Sequence, residues 1–359
     1  MGPLALLFVF GDIGDTILTV PALRALRSRY PDTRLAVVSK RVPGRYLHEL
    51  GLADQVVEID KHLFDSVASL LRPRAWLAMV RLVSRLRHLR PDTVILFHHL
   101  PSKWGTLKFA FLSIASGAKR RVGVDNGRGW FLTERVPDKG FGALHESGYW
   151  LAIAAMMGAP GEPALEMPIS EHDRVAARRL LSSVSGKRLV AIHPGTGWYG
   201  PGRRWDAENF VETARLVASA SDARFVIVGT DQDLAEIEEV AQGLGGLAIN
   251  LAGKTDLGCL AAVLERCSAL IANDGGVSHI AAATGIPVIA IFGPSNERAW
   301  GPLGGGVVAA DLACRPCFYR DFETGLRRGC ATRECLTLVT PAMVSRAVIA
   351  SIQEPAVAG

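Results

Sequence analysis

Three stretches of the chain carry side chains whose types and spacing suit chemistry. FGDIGDTILTVPALRALR, starting at Phe10, places Asp12 and Asp15 in a G-x-x-G-x-x turn directly after an apolar run. A carboxylate at the carboxyl end of a first strand can take a proton from an incoming nucleophile. Asp15 is the first candidate for that base and Asp12, earlier in the turn, the second. The spacing fails the dinucleotide pattern of G-x-G-x-x-G, so hydride transfer is poorly supported. ANDGGVSHIAAATG, starting at Ala272, sets Asp274, Gly275, Gly276, Val277, Ser278 and His279 where a strand passes into a helix. The free N–H groups of a helix start bind phosphate, and short polar side chains beside them suit sugar hydroxyls and phosphate oxygens. HPGTGWYGPGRRWDAENF, starting at His193, carries Thr196, Arg203, Arg204 and Trp205. A guanidinium on a Gly-Pro loop can close over a diphosphate and neutralise a leaving group, while one of the two arginines can equally be a surface charge. For the aspartates at 12, 15 and 274 the competing role is to cap a helix.

A fourth cluster has a less specific pattern. Cys314, Cys317, Cys330 and Cys335 fall in the form C-x2-C-x12-C-x4-C. The first pair has metal-knuckle spacing, the second pair is wider, and no histidine accompanies them. Structural zinc or iron and buried free thiols are both open readings. Cys259 and Cys267 read as core residues of a helix.

These residues sit in a repeating frame. Apolar runs (LALLFVF, RLAVVS, DTVILFHH) alternate with amphipathic stretches such as AWLAMVRLVSRLRHL. That rhythm predicts βαβ units and a mostly parallel sheet. GAPGEPALEMPISEHD, Gly158 to Asp173, reads as a linker, after which five further apolar strands predict a second parallel sheet. The expected domains are residues 1–165 and 166–340, followed by a helix and tail at 341–359 that pack back on the first domain. Ligands in such sheets sit outside the carboxyl ends of the strands, so the chemistry-bearing loops are expected to face a cleft between two domains.

Composition narrows the function classes. With 49% hydrophobic and 21% charged residues among 359, the chain reads as a soluble α/β protein rather than a disordered or membrane-spanning one. Its most apolar later stretch, Leu107 to Ala118, is too short to span a bilayer. The start lacks a basic leader and a cleavage site, so a cytoplasmic location without disulfides is expected. The first 170 residues hold 22 Lys and Arg against 15 Asp and Glu, the remainder 18 against 20. A basic first half suits an anionic partner: an acidic or phosphorylated sugar, or the inner face of a membrane touched peripherally. No zinc-finger or RNA-binding signature supports nucleic acid.

Taken together, GDIGDTILTVPALRALR, HPGTG followed by RRW, VIVGTDQD and NDGGVSHIAAATGIPVIAIFGPSNE resemble glycosyltransferase family 9, the bacterial heptosyltransferases. HHLPSKW, RRVGVD and HESGYW fall in the first half where that family has similar stretches. The resemblance implies an α/β chain of GT-B fold, two Rossmann-like domains facing across a cleft. It implies an inverting transfer of heptose from ADP-L-glycero-D-manno-heptose to an acceptor hydroxyl, with no catalytic metal or other cofactor. By the same resemblance Asp15 is the catalytic base, and Arg203 stands near the donor diphosphate where the family usually has lysine. Asp274 holds the heptose hydroxyls, Gly275 to His279 form the phosphate-binding turn, and Thr196 lies near the diphosphate. A cysteine site would be structural. Lipopolysaccharide core, an adhesin's side chains and a small natural product all fit as acceptors. Another nucleotide-sugar transferase of this fold, or a non-catalytic sugar-nucleotide binding protein, are the alternatives.

Overall fold

A computed structural model describes residues 3–60, 73–197, 200–319 and 328–353. The chain divides into two compact units, Met1–Glu166 and Met167–Gly359.

The first unit is built on a six-stranded sheet with every pair parallel. Its strands are β1 (Leu4–Val9), β2 (Arg34–Ser39), β3 (Gln55–Glu58), β4 (Thr93–Leu96), β5 (Arg120–Asp125) and β6 (Glu134–Pro137). They lie in the order β3-β2-β1-β4-β5-β6. All six residues of β1 are buried, as a strand covered on both faces by helices must be. It pairs with β2 (Leu6 opposite Ala36) and with β4 (Leu7 opposite Ile95). Strand order reverses between β1 and β4, which makes the carboxyl end of β1 the switch point where such sheets bind ligands. The helices are α1 (Ile13–Ile17), α2 (Val20–Arg29), α3 (Arg41–Glu49), α4 (Pro73–Leu89), α5 (Lys103–Ala115) and α6 (Glu146–Met156). Pro21 near the start of α2 costs no hydrogen bond, because the N–H it lacks would have had no partner within the helix.

The predicted linker is anchored at its middle, at Glu166. Arg24 donates to both carboxylate oxygens of Glu166, through Nε at 2.8 Å and Nη2 at 2.5 Å. The Tyr46 hydroxyl donates to the Glu166 carbonyl at 2.6 Å. Four residues later Ser170 opens the next helix, α7 (Glu171–Leu180), by exchanging side-chain and backbone hydrogen bonds with Asp173.

The second unit repeats the plan. Its strands are β7 (Arg188–His193), β8 (Ala223–Ile227), β9 (Ala248–Asn250), β10 (Ala269–Asn273), β11 (Val288–Phe292) and β12 (Gly306–Ala309). The order is β12-β11-β10-β7-β8-β9, again parallel, with the reversal between β10 and β7. Its helices are α8 (Ala207–Ala220), α9 (Leu234–Leu244), α10 (Leu257–Glu265), α11 (Gly276–Ala283), α12 (Glu297–Trp300), α13 (Glu334–Thr337) and α14 (Pro341–Gln353). The sequence pattern shows five of these strands and misses β12, a short edge strand after a run of glycines whose residues are partly or fully exposed. The last helix contributes to the core of the second unit. Val344, Val348 and Ile352 of α14 join the core that α8 and the second sheet form with Trp205, Phe210 and Ile291. None of the helices among the described residues is long and apolar enough to cross a membrane.

Candidate functional site

In the first unit the chain leaves β1 at Val9 and turns through Gly11 into α1. Asp15 Oδ2 accepts the Asp12 N–H at 3.0 Å, tying the carboxylate back over the turn. A Cβ at Gly11 would lie 2.3 Å from Asp15 Cβ and 2.7 Å from its Oδ2, so residue 11 is glycine because this carboxylate occupies the space. Asp15 remains exposed. The two roles considered for it are therefore compatible: the cap takes one of about four lone-pair positions of the carboxylate. The Asp12 carboxylate is instead ion-paired with Lys40.

In the second unit the loops after β7 and β10, at the switch point, hold the other candidates. Arg203 lies in a single helical turn, Pro201–Arg203, and its Nη1 donates to Asp274 Oδ2 at 3.0 Å. Asp274 also accepts from the Ser295 hydroxyl at 2.5 Å. Its side chain makes no cap to α11, which removes the capping alternative at this position. The Arg203 guanidinium stands 5.5 Å from the Phe318 ring centroid, a cation–π contact that helps hold it. Asp274 is buried and Arg203 partly so, with side chains 6% and 15% exposed.

A tight turn is not why Gly275 is glycine. Its backbone is extended, with φ of 175°, and an added Cβ would meet nothing nearer than the Asn273 carbonyl at 3.8 Å. Within the described protein neither strain nor packing requires glycine there. Beside it the Ser278 hydroxyl is buried with no partner among the described residues, and His279 is buried one residue on. Val277 is partly exposed at the mouth of the same turn.

Sequence reasoning missed what holds this edge together. Arg204, one of the two arginines for which a surface role was open, is a brace: Nη2 donates to Asp233 at 3.0 Å, Nε to the Thr196 hydroxyl at 3.2 Å, and Nη1 pairs with Glu236. Asp233 in turn accepts the N–H groups of Thr196 and Gly197 at 3.2 and 3.1 Å. A Cβ on Gly195 would come within 2.2 Å of the Asp233 carboxyl carbon, so that glycine admits the buried acid. Asn273, fully buried at the end of β10, donates to the Pro194 carbonyl and accepts the Trp205 N–H, joining both loops to the sheet. His193, at the end of β7, is held well below the usual imidazole range by burial against the opposing charge of Asp233. The TDQD acids following β8 were the available signal.

A second unanticipated cluster lies in the first unit, where the stretches HHLPSKW and HESGYW meet. His99 Nδ1 is 2.7 Å from Asp138 Oδ2, and Nε2 is 3.1 Å from both oxygens of Glu146. Rings of Phe141, Tyr149 and Trp150 surround the imidazole. Burial opposes its charge, but the charge of Glu146 and hydrogen bonds donated to both carboxylates outweigh this and push the pKa up to about 10.

The four C-terminal cysteines lie near one another, close enough for Cys317, Cys330 and Cys314 to add to the raised pKa of Cys335. Among the described residues no group of three or more His, Cys, Asp or Glu side chains is placed to hold a metal, so the arrangement gives the expected zinc or iron no support. Cys335 is buried on α13 while Cys314 and Cys330 are exposed. The Cys330 sulfur accepts the Arg333 N–H at 3.4 Å and contacts the Thr332 hydroxyl, interactions that lower its pKa. Burial raises the thiols of Cys335, Cys259 and Cys267. Cys330 is therefore expected to be alkylated before these three at mildly alkaline pH, since the thiolate is the nucleophile. Peptide mass mapping of a timed iodoacetamide reaction checks the order; earlier labelling of Cys335 would contradict the placement of these thiols.

The sequence model of glycosyltransferase family 9 (heptosyltransferase) matches residues 79–324. Lipooligosaccharide heptosyltransferase 2 of Campylobacter jejuni is 30% identical over 141 residues, 38% of this chain and 44% of that protein. The first relatives are thus matched over less than half of their own length. Lipopolysaccharide heptosyltransferase 2 of Escherichia coli K12 is 25% identical over 305 residues, 81% of this chain and 83% of that one. The solved structure of E. coli ADP-heptose LPS heptosyltransferase II superposes with a TM-score of 0.73 at 20% identity, covering 98% of this chain and 99% of that chain. The fold is the α/β GT-B fold of such structures. With its family model matched over more than half its length, the chain belongs to glycosyltransferase family 9.

Proposed function

We propose that the protein is an inverting glycosyltransferase that moves heptose from ADP-L-glycero-D-manno-heptose to a hydroxyl of the lipopolysaccharide core or a related anionic glycan or glycolipid. The observation that carries the donor site is the combination at the carboxyl end of β10: an Arg203–Asp274 pair with a buried carboxylate, beside a glycine that the described protein does not require and a buried serine hydroxyl without a partner among the described residues. A diphosphate approaching Gly275 and Gly276 would meet the free N–H groups at the start of α11 and satisfy Ser278. Arg203 supplies the cationic charge, with Thr196 on the neighbouring loop, while Asp274, Val277 and His279 line the sugar side. The names of the relatives support the choice of heptose, lipopolysaccharide and an adenine nucleotide.

In the proposed reaction the acceptor O–H gives its proton to Asp15 as its oxygen forms a bond to the anomeric carbon. The bond from that carbon to the phosphate oxygen breaks on the opposite face, inverting the centre, and ADP leaves with the electron pair. Arg203 and the α11 N–H groups take up the charge growing on the diphosphate, so the leaving group needs no proton.

Binding to the folded state alone raises stability, by about 2.7 kcal/mol at a hundred times the Kd. ADP-heptose is therefore expected to raise the melting temperature, ADP to do so less, and Arg203→Ala to weaken both effects. Thermal shift with ADP-, UDP- and GDP-sugars reads this out, and equal protection by all three would overturn the donor assignment. Release of ADP only when a core acceptor is present separates the transferase from a non-catalytic binder.

A further inference from the structure

Outside the sites described, the most unusual surface is formed by two neighbouring helices of the first unit. On α4, Trp76, Leu77 and Val80 are more than half exposed, and on α5 Leu107, Phe111 and Ile114 are half exposed or more. The α5 residues recur at helical spacing, so they form one stripe. Trp76, Val80 and Phe111 share a groove of about 590 Å³ with Met79, Val83 and Arg87. Contiguous apolar surface of this kind marks an interaction site.

Its charges specify the partner. From Pro73 to Arg90 the chain carries five arginines and no acidic residue, and α5 adds Lys103 and Lys108, again with no acid. None of Arg74, Arg81, Arg85, Arg87 and Arg90 forms an ion pair with a carboxylate among the described residues. A helix with Trp, Leu and Val exposed beside a row of arginines is the composition of an interfacial membrane helix, whose apolar side enters the boundary of the acyl chains while its cations meet anionic headgroups. We propose that the α4–α5 face docks this protein on an anionic phospholipid bilayer. The inference rests on this surface alone and does not depend on which sugar is transferred.

Co-sedimentation with vesicles of phosphatidylcholine, and of phosphatidylcholine with phosphatidylglycerol, tests it on the full chain. The protein is expected to pellet with the anionic vesicles and to be released by salt. Arg81→Gln with Arg85→Gln should weaken binding about thirtyfold, from about 1 kcal/mol for each cation near the surface. Val80→Asp with Phe111→Asp should abolish it. Both double variants should keep the wild-type melting temperature and wild-type transfer to a delipidated acceptor. Failure to pellet, equal binding to neutral vesicles, or unchanged binding by either variant would each overturn the proposal. So would a dimer in sedimentation velocity that Val80→Asp with Phe111→Asp dissociates, since the face would then belong to a second copy of the chain.

Discussion

Replacing Asp15 by asparagine is expected to slow heptosyl transfer by about 10²- to 10⁴-fold, the loss that accompanies removal of general-base help, while the protein melts close to the wild-type temperature. The substitution is informative because of what Asp15 does in the fold. Its Oδ2 accepts the Asp12 N–H, and an asparagine carbonyl oxygen can accept that same bond, so the cap survives while the base is lost. Asp12→Asn is expected to cost less in rate, because the Asp12 carboxylate is engaged by Lys40. Gly11→Ala supplies an independent check: its methyl group would occupy the position of the Asp15 side chain and should depress turnover with both aspartates intact. Single-turnover rates measured beside melting curves separate the roles. An Asp15→Asn protein that transfers normally would leave the reaction without its proposed base.

His99→Gln should be the most destabilising single change outside the hydrophobic core. It leaves Asp138 and Glu146 buried without the cation between them, and breaking a buried pair by removing one partner costs about 3–5 kcal/mol. The pH dependence carries a matching signature. With the pKa of His99 raised from 6.5 to about 10 in the folded chain, the imidazolium contributes fully below about pH 6.5, and its contribution is lost as pH climbs through the folded value. Urea unfolding of the wild type should therefore show stability falling between neutral pH and about 10, and His99→Gln should lack that decline. Parallel loss in both proteins would mean that the folded imidazole is neutral.

The features legible in the sequence were those encoded locally. The turn carrying Asp15 and the turn carrying Asp274 both lie at strand ends where strand order reverses, because a glycine-rich turn after an apolar run marks the end of a parallel strand. What stayed hidden depends on residues far apart in the chain. Arg204 finds Asp233 and Glu236 at separations of 29 and 32 residues, and His99 finds its acids at 39 and 47. Such pairs leave no periodicity to read. The edge strand β12 was missed for a different reason: four residues with little buried area look like a loop. Why Gly275 is glycine is not legible in its conformation either, since its extended backbone suits any residue.

The loop bearing Arg203 is mated to a distant part of the chain. A Cβ at Gly202 would fall 2.3 Å from the Gly329 nitrogen. Gly329 itself has φ of +80°, where other residues are strained, and Arg333 reaches back to the Arg204 carbonyl and to Asp206. Backbone fitted to backbone leaves no flexible side chain to absorb a change. In the descent of such sequences these two segments can vary only as a matched pair, and a chimaera that imports the arginine loop from a relative must import the glycine-bearing segment with it.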